Sequence, residues 1–291
     1  MIEQQLLNAL MLGCNYALVA IGYTLVFGVL NMLNFAHPNV FALGGFLFAS
    51  AALLALPFPV ALLGLVLAGA LLGLSTELFC FRPAAHHDNE LAPAISSVAF
   101  AMVLTELIAK VWGSEPVRLP PVLEAVTFTW GPFQVSSIQL VILVASFGLM
   151  VAVDFLLQRT KTGYALRALA ERRDVAQLLG VNVQATVLFA FMLSGVLAVL
   201  AGMLLALRLG LADPNAGLSY GLRALAVMVI GGLGNVRGAM VAGLLVGLVD
   251  VMTLAFLSQA YSGIAAWVLL IVTLLFKPSG LLGTRLQRES L

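Results

Sequence analysis

The sequence predicts an all-α, polytopic integral membrane protein, and three observations predict it. Hydrophobic residues make up 62% of the 291 positions and charged residues only 9%, whereas a typical soluble domain carries about 25% charged residues. A chain so poor in charge cannot cover a globular surface with polar groups. Its apolar runs are long and continuous, unlike the roughly ten-residue alternating segments of a membrane β-barrel. They also recur at about 20 residues, the length that crosses the hydrocarbon layer as a helix. Seven to nine transmembrane helices in a single domain over residues 1–291 are expected, with no linker, low-complexity tract or soluble domain.

The apolar segments, in order, are 6–30, 38–56, 58–80, 92–112, 137–158, 186–207, 221–233, 238–257 and 262–276. The first lacks a basic n-region and is too long for a signal-peptide core, so it reads as a retained span. It ends in a polar interruption at Asn31, Asn34 and His37, with Phe35 among them. The short 221–233 piece is divided from 238–257 by the run Gly231-Gly232-Leu233-Gly234-Asn235-Val236-Arg237-Gly238, so a broken or re-entrant helix is expected near 231–238. Such backbone survives at membrane depth only where protein or water satisfies its hydrogen bonds. Leu43-Gly44-Gly45 and the 231–238 run hint at an internal repeat of the kind transporters use. Gly69-x-x-x-Gly73 and Gly243-x-x-x-Gly247 read as close helix packing. Cys14 and Cys80 read as small buried side chains rather than a disulfide framework.

Basic residues in short loops set the expected orientation. The 159–184 loop holds Arg159, Lys161, Arg167, Arg172 and Arg173, five of the fourteen Lys and Arg residues. The tail holds Lys277, Arg285 and Arg288. Both are expected to be cytoplasmic, with the inner-membrane chain crossing several times. The proline-rich 113–136 loop, with Glu115, Arg118 and Glu124, is expected outside, as is the loop around Asp213-Pro214. The stretch from Arg82 to Glu90 then lies inside and the N-terminus outside.

Enzyme chemistry finds little support. His37, His86 and His87 have no partners at metal-ligand spacing, so no metal site is expected. No phosphate-binding G-x-x-x-x-G-K-[ST] string occurs, so ATP hydrolysis on this chain is not expected. A net charge of +1 implies no affinity for nucleic acid. Among the charges within apolar runs, Glu106 and Lys110 are spaced to pair on one helix face. Asp250 must face the protein interior, because a lone charge at the bilayer centre costs about 2.5–3.5 kcal/mol on insertion scales. Asp154 is expected at the interface.

The 159–184 loop carries the clearest pattern. Ala165, Ala168, Leu169, Val175, Ala176 and Leu179 recur at helical spacing, with Arg167, Glu171, Asp174 and Gln177 between them. A short amphipathic helix, or two turns broken near Arg172-Arg173-Asp174, is expected, with Gly180 as its C-cap. It could dock on a cytosolic protein or lie on membrane lipid with its arginines snorkelling. Composition does not choose between the two.

The string T-x-x-G-x-A-x-R-A at Thr160, Gly163, Ala165, Arg167 and Ala168, followed by Ala176 and Leu179-Gly180-Val181, resembles the cytoplasmic signature of the branched-chain amino acid ABC transporter permease family. Asn34-Phe35-Ala36-His37, the Gly231-Gly232-Leu233-Gly234 and Gly238-Ala239 elements, and Arg82-Pro83 are similar to further landmarks of that family. The resemblance runs from residue 31 to about 247. It implies a permease subunit paired with a second permease, different or identical, seated on two ATPase subunits and supplied by a periplasmic binding protein. Branched-chain or other small hydrophobic amino acids would be the substrate, and ATP and Mg would be bound by the partners, with no cofactor in this chain. Residues 160–180, with Thr160, Gly163, Ala165, Arg167, Ala168, Asp174, Ala176 and Gly180, would couple to the ATPase. Asn31, Asn34, Phe35, His37, Gly231, Gly232, Gly234 and Gly238 would line a pathway, or else cap helix ends and pack. A urea or short-amide importer of the same family would share these landmarks. A proton-coupled transporter centred on Asp250 is the more distant alternative. The sequence departs from the family at Pro38, where glycine is usual. Proline there either opens the second helix or diverts the local path.

Overall fold

A computed structural model describes residues 2–83, 91–122, 126–130 and 133–283. His86, His87, Glu90, Glu124, Arg285 and Arg288 lie outside the described residues. Eleven α-helices carry the fold among those described: α1 (Ile2–Leu30), α2 (His37–Leu53), α3 (Phe58–Thr76), α4 (Ala92–Trp112), α5 (Ser137–Arg159), α6 (Lys161–Glu171), α7 (Arg173–Leu178), α8 (Val183–Leu209), α9 (Ala216–Gly231), α10 (Val236–Phe256) and α11 (Gln259–Phe276). Six segments are long and apolar enough to cross a membrane, and His37–Leu53, Ala216–Gly231 and Tyr261–Phe276 are shorter apolar helices. The nine expected apolar segments thus all form helices.

Local sequence starts and stops these helices. Ser136 and Gln139 close a capping box at α5, and Asn182 accepts from the Ala185 amide at 3.0 Å to cap α8. Each side-chain oxygen satisfies a backbone N–H that has no intrahelical partner. Gly210, left-handed at φ 69°, ends α8. Beyond Thr76 the α3 helix widens into a π turn, Glu77–Phe81, and Arg82 pairs with Glu77 at 3.0 Å.

The centre is built from α1 and α8, which are buried over most of their length, while the other long helices are mostly exposed. Small residues let the backbones approach. Gly13 meets Gly243 and Leu244, and Gly247 meets Gly13 and Ala9, so α10 runs antiparallel along α1. Gly69 and Gly73 sit against Gly195, Phe191 and their neighbours on α8, and Gly202 sits against Phe41 and Gly45 of α2. Both expected glycine pairs therefore pack helices. Without a hydrophobic drive between helices in lipid, such close contacts supply the association energy. Cys14 and Cys80 are free and buried, as expected.

Two expectations are corrected. The 231–238 run is a tight turn joining α9 to α10, not a break at depth. Gly232 and Gly234 adopt φ of 107° and 80°, and Asn235 caps α10 by accepting from the Gly238 amide at 3.0 Å. The departure from helix at depth lies instead at 31–36. His37, at the start of α2, reaches Val19 and Ser194, and Ser194 is about three turns into α8. The chain thus leaves α1, folds back into the bundle and begins α2 there. Glu106 and Lys110 form no ion pair among the described residues; the ion pairs there join Arg82 to Glu77, Arg223 to Asp250 and Arg237 to Asp154.

Loops at the end of the bundle opposite α6 add two short ribbons not expected from the sequence. β1 (Val117–Arg118) pairs with β4 (Leu211–Ala212), and β2 (Thr127–Trp130) pairs with β3 (Phe133–Ser136), both antiparallel. The end bearing α6, α7 and the α9–α10 turn is called the basic end below.

Candidate functional site

At the basic end, α5 turns a corner into α6. Thr160 makes the corner: its hydroxyl donates to the Leu156 carbonyl at 2.6 Å and accepts from the Gly163 amide at 3.1 Å. Any Cβ at Gly163 would run into the Leu156 and Leu157 carbonyls. These two positions therefore fix where α6 points, and Gly163 itself is buried. Leu166 and Leu169 hold the inner face of α6, while Ala165 and Ala168 are half-buried and Arg167 is exposed. The Arg167 guanidinium lies 4.8 Å over the Tyr164 ring, a cation–π contact that holds it on the outer face.

The expected interruption falls at Arg172, whose backbone is extended at φ −149° and ψ 104° between α6 and α7. Gly180 then closes α7 at φ 85°, and the Val181 amide donates to the Ala176 carbonyl at 3.0 Å, as left-handed C-caps do. Ala176 is buried against the chain itself, so it anchors α7 and offers no surface to another protein. Asp174 is exposed. The tip that does project is apolar: Leu178 is 87% exposed, Leu179 78% and Val175 42%. Sequence spacing put Leu179 on one apolar stripe with Leu169 and Ala176; the structure buries those two and leaves Leu179 exposed.

The 31–37 segment divides in two. Asn31 is exposed and left-handed at φ 56°, the helix-ending conformation in which asparagine is tolerated. Phe35 is 37% exposed, and its amide donates to Ser97 at 3.1 Å. Asn34 and His37 are buried. Asn34 accepts from the Ala36 amide at 3.0 Å, closing the turn that opens α2. His37 Nε2 lies 3.1 Å from the Val19 carbonyl, which can only accept, so Nε2 carries the proton. Nδ1 lies 3.2 Å from the Ser194 hydroxyl, itself 2.9 Å from the Gly22 carbonyl. Gly22 leaves the room: a Cβ there would enter the imidazole. Tyr23 packs on the ring at 4.5 Å. Pro38 sits in the first turn of α2 and packs against Gly217 and Gly221 of α9. Proline thus opens the helix, and α9 is shaped to receive it.

The glycine run is brought near α1, with Gly234 against Gly28. Gly231 and Gly238 face each other across the turn, and Gly232 lies against Gly280 and Gly283. Residues 279–283 are strapped over it. Leu281 and Leu282 donate to the Ile230 and Gly231 carbonyls at 2.7 and 3.0 Å, and Asn235 Nδ2 donates to the Leu282 carbonyl at 2.6 Å. Close packing accounts for Gly231, Gly232 and Gly238, and the left-handed backbone of the turn for Gly234.

Two ion pairs were missed in the sequence. Asp154 receives Arg237 bidentately, at 2.9 and 3.2 Å, joining α5 to α10 nearly two turns before the Thr160 corner. In the bundle, Asp250 accepts from Tyr16 at 2.7 Å, with Arg223 Nε at 3.6 Å. Arg223 Nη1 also donates to Tyr16 at 3.3 Å. The available signal was that one Arg and one Asp each lie alone in neighbouring apolar runs. Each then needs a partner inside the protein, although nothing local along the chain says which.

Residues 5–274 match the family described as branched-chain amino acid transport system / permease component. The chain belongs to this family. It is 33% identical to the high-affinity branched-chain amino acid transport system permease protein BraD of Pseudomonas aeruginosa, over 96% of this chain and 95% of the relative. It is 32% identical to LivH of Escherichia coli K12, a permease protein with the same description, again over 96% and 95%. The fold is similar to a chain solved as PsaBC from Streptococcus pneumoniae in complex with Fab, with TM-score 0.54 and 12% identity, covering 94% of this chain and 91% of that one. As a family member the chain is a multi-pass membrane permease component rather than an enzyme.

Proposed function

We propose that this chain is the membrane-spanning subunit of an ATP-binding-cassette importer for branched-chain or other small hydrophobic amino acids. It works with a second permease, same or different, two ATPase subunits that bind ATP and Mg, and a periplasmic binding protein that delivers substrate. The basic end faces the cytosol of a bacterial inner-membrane protein, in keeping with the excess of Arg and Lys there. The names of BraD and LivH support the substrate class.

The observation that carries the ATPase assignment is the α6–α7 element. A helix lying on lipid presents its apolar face to the chains. Here the inner apolar face is taken up by the protein, and Val175 and Leu178 of α7 and its C-cap Leu179 are exposed, with Arg172 and Arg173 just before them in the chain. An apolar tip flanked by cations fits a groove in a protein partner. Because Thr160 and Gly163 lock α6 to the last turn of α5, force on the tip reaches the spans directly. Among the pathway residues, Asn31 and Phe35 are exposed and able to touch a passing substrate. Asn34 and His37 hold the re-entrant turn in place behind them.

Arg167→Glu tests the reading. The variant is expected to insert normally and to lose the ATPase subunits on mild-detergent purification. Full ATP-driven uptake by Arg167→Glu would remove the coupling role. A wild-type chain that purifies with no ATPase, where a control importer stays intact, would remove the importer assignment.

A further inference from the structure

The basic end and the 31–37 turn leave one built feature of the fold unused: the guanidinium of Arg223. It lies about two turns along α9 from Ala216, in a helix that is otherwise almost wholly apolar. Two of its nitrogens are engaged, Nε by Asp250 and Nη1 by Tyr16. Nη2 lies beside Gly263 of α11: a Cβ at 263 would be in ordinary van der Waals contact with it, at 3.8 Å, and within 4 Å of no other described atom. The side chain is 24% exposed. Asp250 and Tyr16 thus hold the guanidinium on one side, and the Nη2 edge has no hydrogen-bond partner among the described residues.

That edge is approached along a polar stripe. Asn215, Ser219 and Arg223 are spaced four apart, so they share one face of α9, and Asn215 and Ser219 are exposed. The stripe starts at the end of the bundle opposite the basic end and stops at Arg223, since Val227 is fully buried. The geometry points to a carboxylate site at Arg223, entered along Asn215 and Ser219, that takes the carboxylate of the incoming amino acid. A guanidinium edge matches that group in shape and charge. The Arg223–Asp250 pair is neutral overall, so a zwitterion enters without adding net charge to the membrane interior. This assignment rests on the proposed function, which puts this end toward the binding protein.

The test reconstitutes the full complex in vesicles with leucine-loaded binding protein and measures leucine taken up per ATP hydrolysed, with subunit content recorded for each variant. Gly263→Leu covers the free edge, and Ser219→Leu interrupts the stripe, both at positions with room. Each is expected to lower the ratio by about tenfold, the worth of one charge-assisted hydrogen bond. Arg223→Gln with Asp250→Asn, which keeps the interior neutral, is expected to do the same, and Arg223→Lys to lose less. Wild-type ratios in Gly263→Leu and in the double variant would overturn the site. Loss of the second permease from these complexes would make the edge a subunit contact and overturn it equally. If the wild-type complex takes up no leucine at all, the proposed function fails instead.

Discussion

Gly163 and Gly22 show how much a single absent side chain can decide. Each is the place where another group must come too close for a Cβ: the Leu156 and Leu157 carbonyls at Gly163, and the His37 imidazole at Gly22. Gly163→Val is expected to displace α6, leaving a membrane-inserted chain with at least about tenfold lower uptake, measured beside its abundance in the membrane; overpacking of this kind costs about 1–3 kcal/mol. Asp250 is the other decisive residue. Asp250→Asn leaves Arg223 without its counter-charge at depth, at about 2.5–3.5 kcal/mol. A lower thermal unfolding midpoint in detergent is expected, recovered in large part by adding Arg223→Gln. A proton-coupled transporter would lose activity with Asp250→Asn and gain nothing from the second change. The composition marked Asp250 as needing a partner, yet Tyr16 and Arg223 lie 234 and 27 positions away along the chain, where no local spacing reveals them.

Among the elements, α5 and α10 meet chiefly through Asp154 and Arg237. A surface pair is ordinarily worth about 0–1 kcal/mol, but this one is bidentate and lies within two turns of the corner that carries α6. Motion of α6 therefore has a direct route into the α9–α10 hairpin. Asp154→Arg and Arg237→Asp are each expected to lower ATP-driven uptake several-fold, about 5-fold or more, and the exchanged pair to recover most of it. Additive losses in the double variant would show that the two side chains act separately. The α6–α7 break was legible from Arg172-Arg173-Asp174 and Gly180, because extended backbone and a left-handed cap have local sequence signatures. The direction in which Leu178 and Leu179 point was not, since a break rotates the second helix by an amount set by what it packs on.

At the scale of the whole molecule, the strap at 279–283 closes the basic end over the α9–α10 turn. Ending the chain at Pro278 removes the Leu281 and Leu282 bonds and the Asn235 contact. Faster proteolysis at 231–236 and a lower unfolding midpoint are expected, with unchanged insertion; a wild-type cleavage rate would show the strap to be passive. The two glycine-rich regions proposed as a repeat do unlike work, one packing a helix on α8 and the other turning a chain reversal.

Hydropathy and local pattern were enough to show a bundle of membrane helices, where those helices lie, and that 160–180 forms a capped amphipathic element. Those features follow from hydropathy, caps and spacing, which act over a few residues. That the break at depth falls at 31–36 rather than 231–238, and that Arg223 answers Asp250, emerged from the packed fold alone. The packing also decided that α1 and α8 form the centre. Each of these depends on which backbone lies beside which, and that is settled by close approach between small residues far apart in the chain.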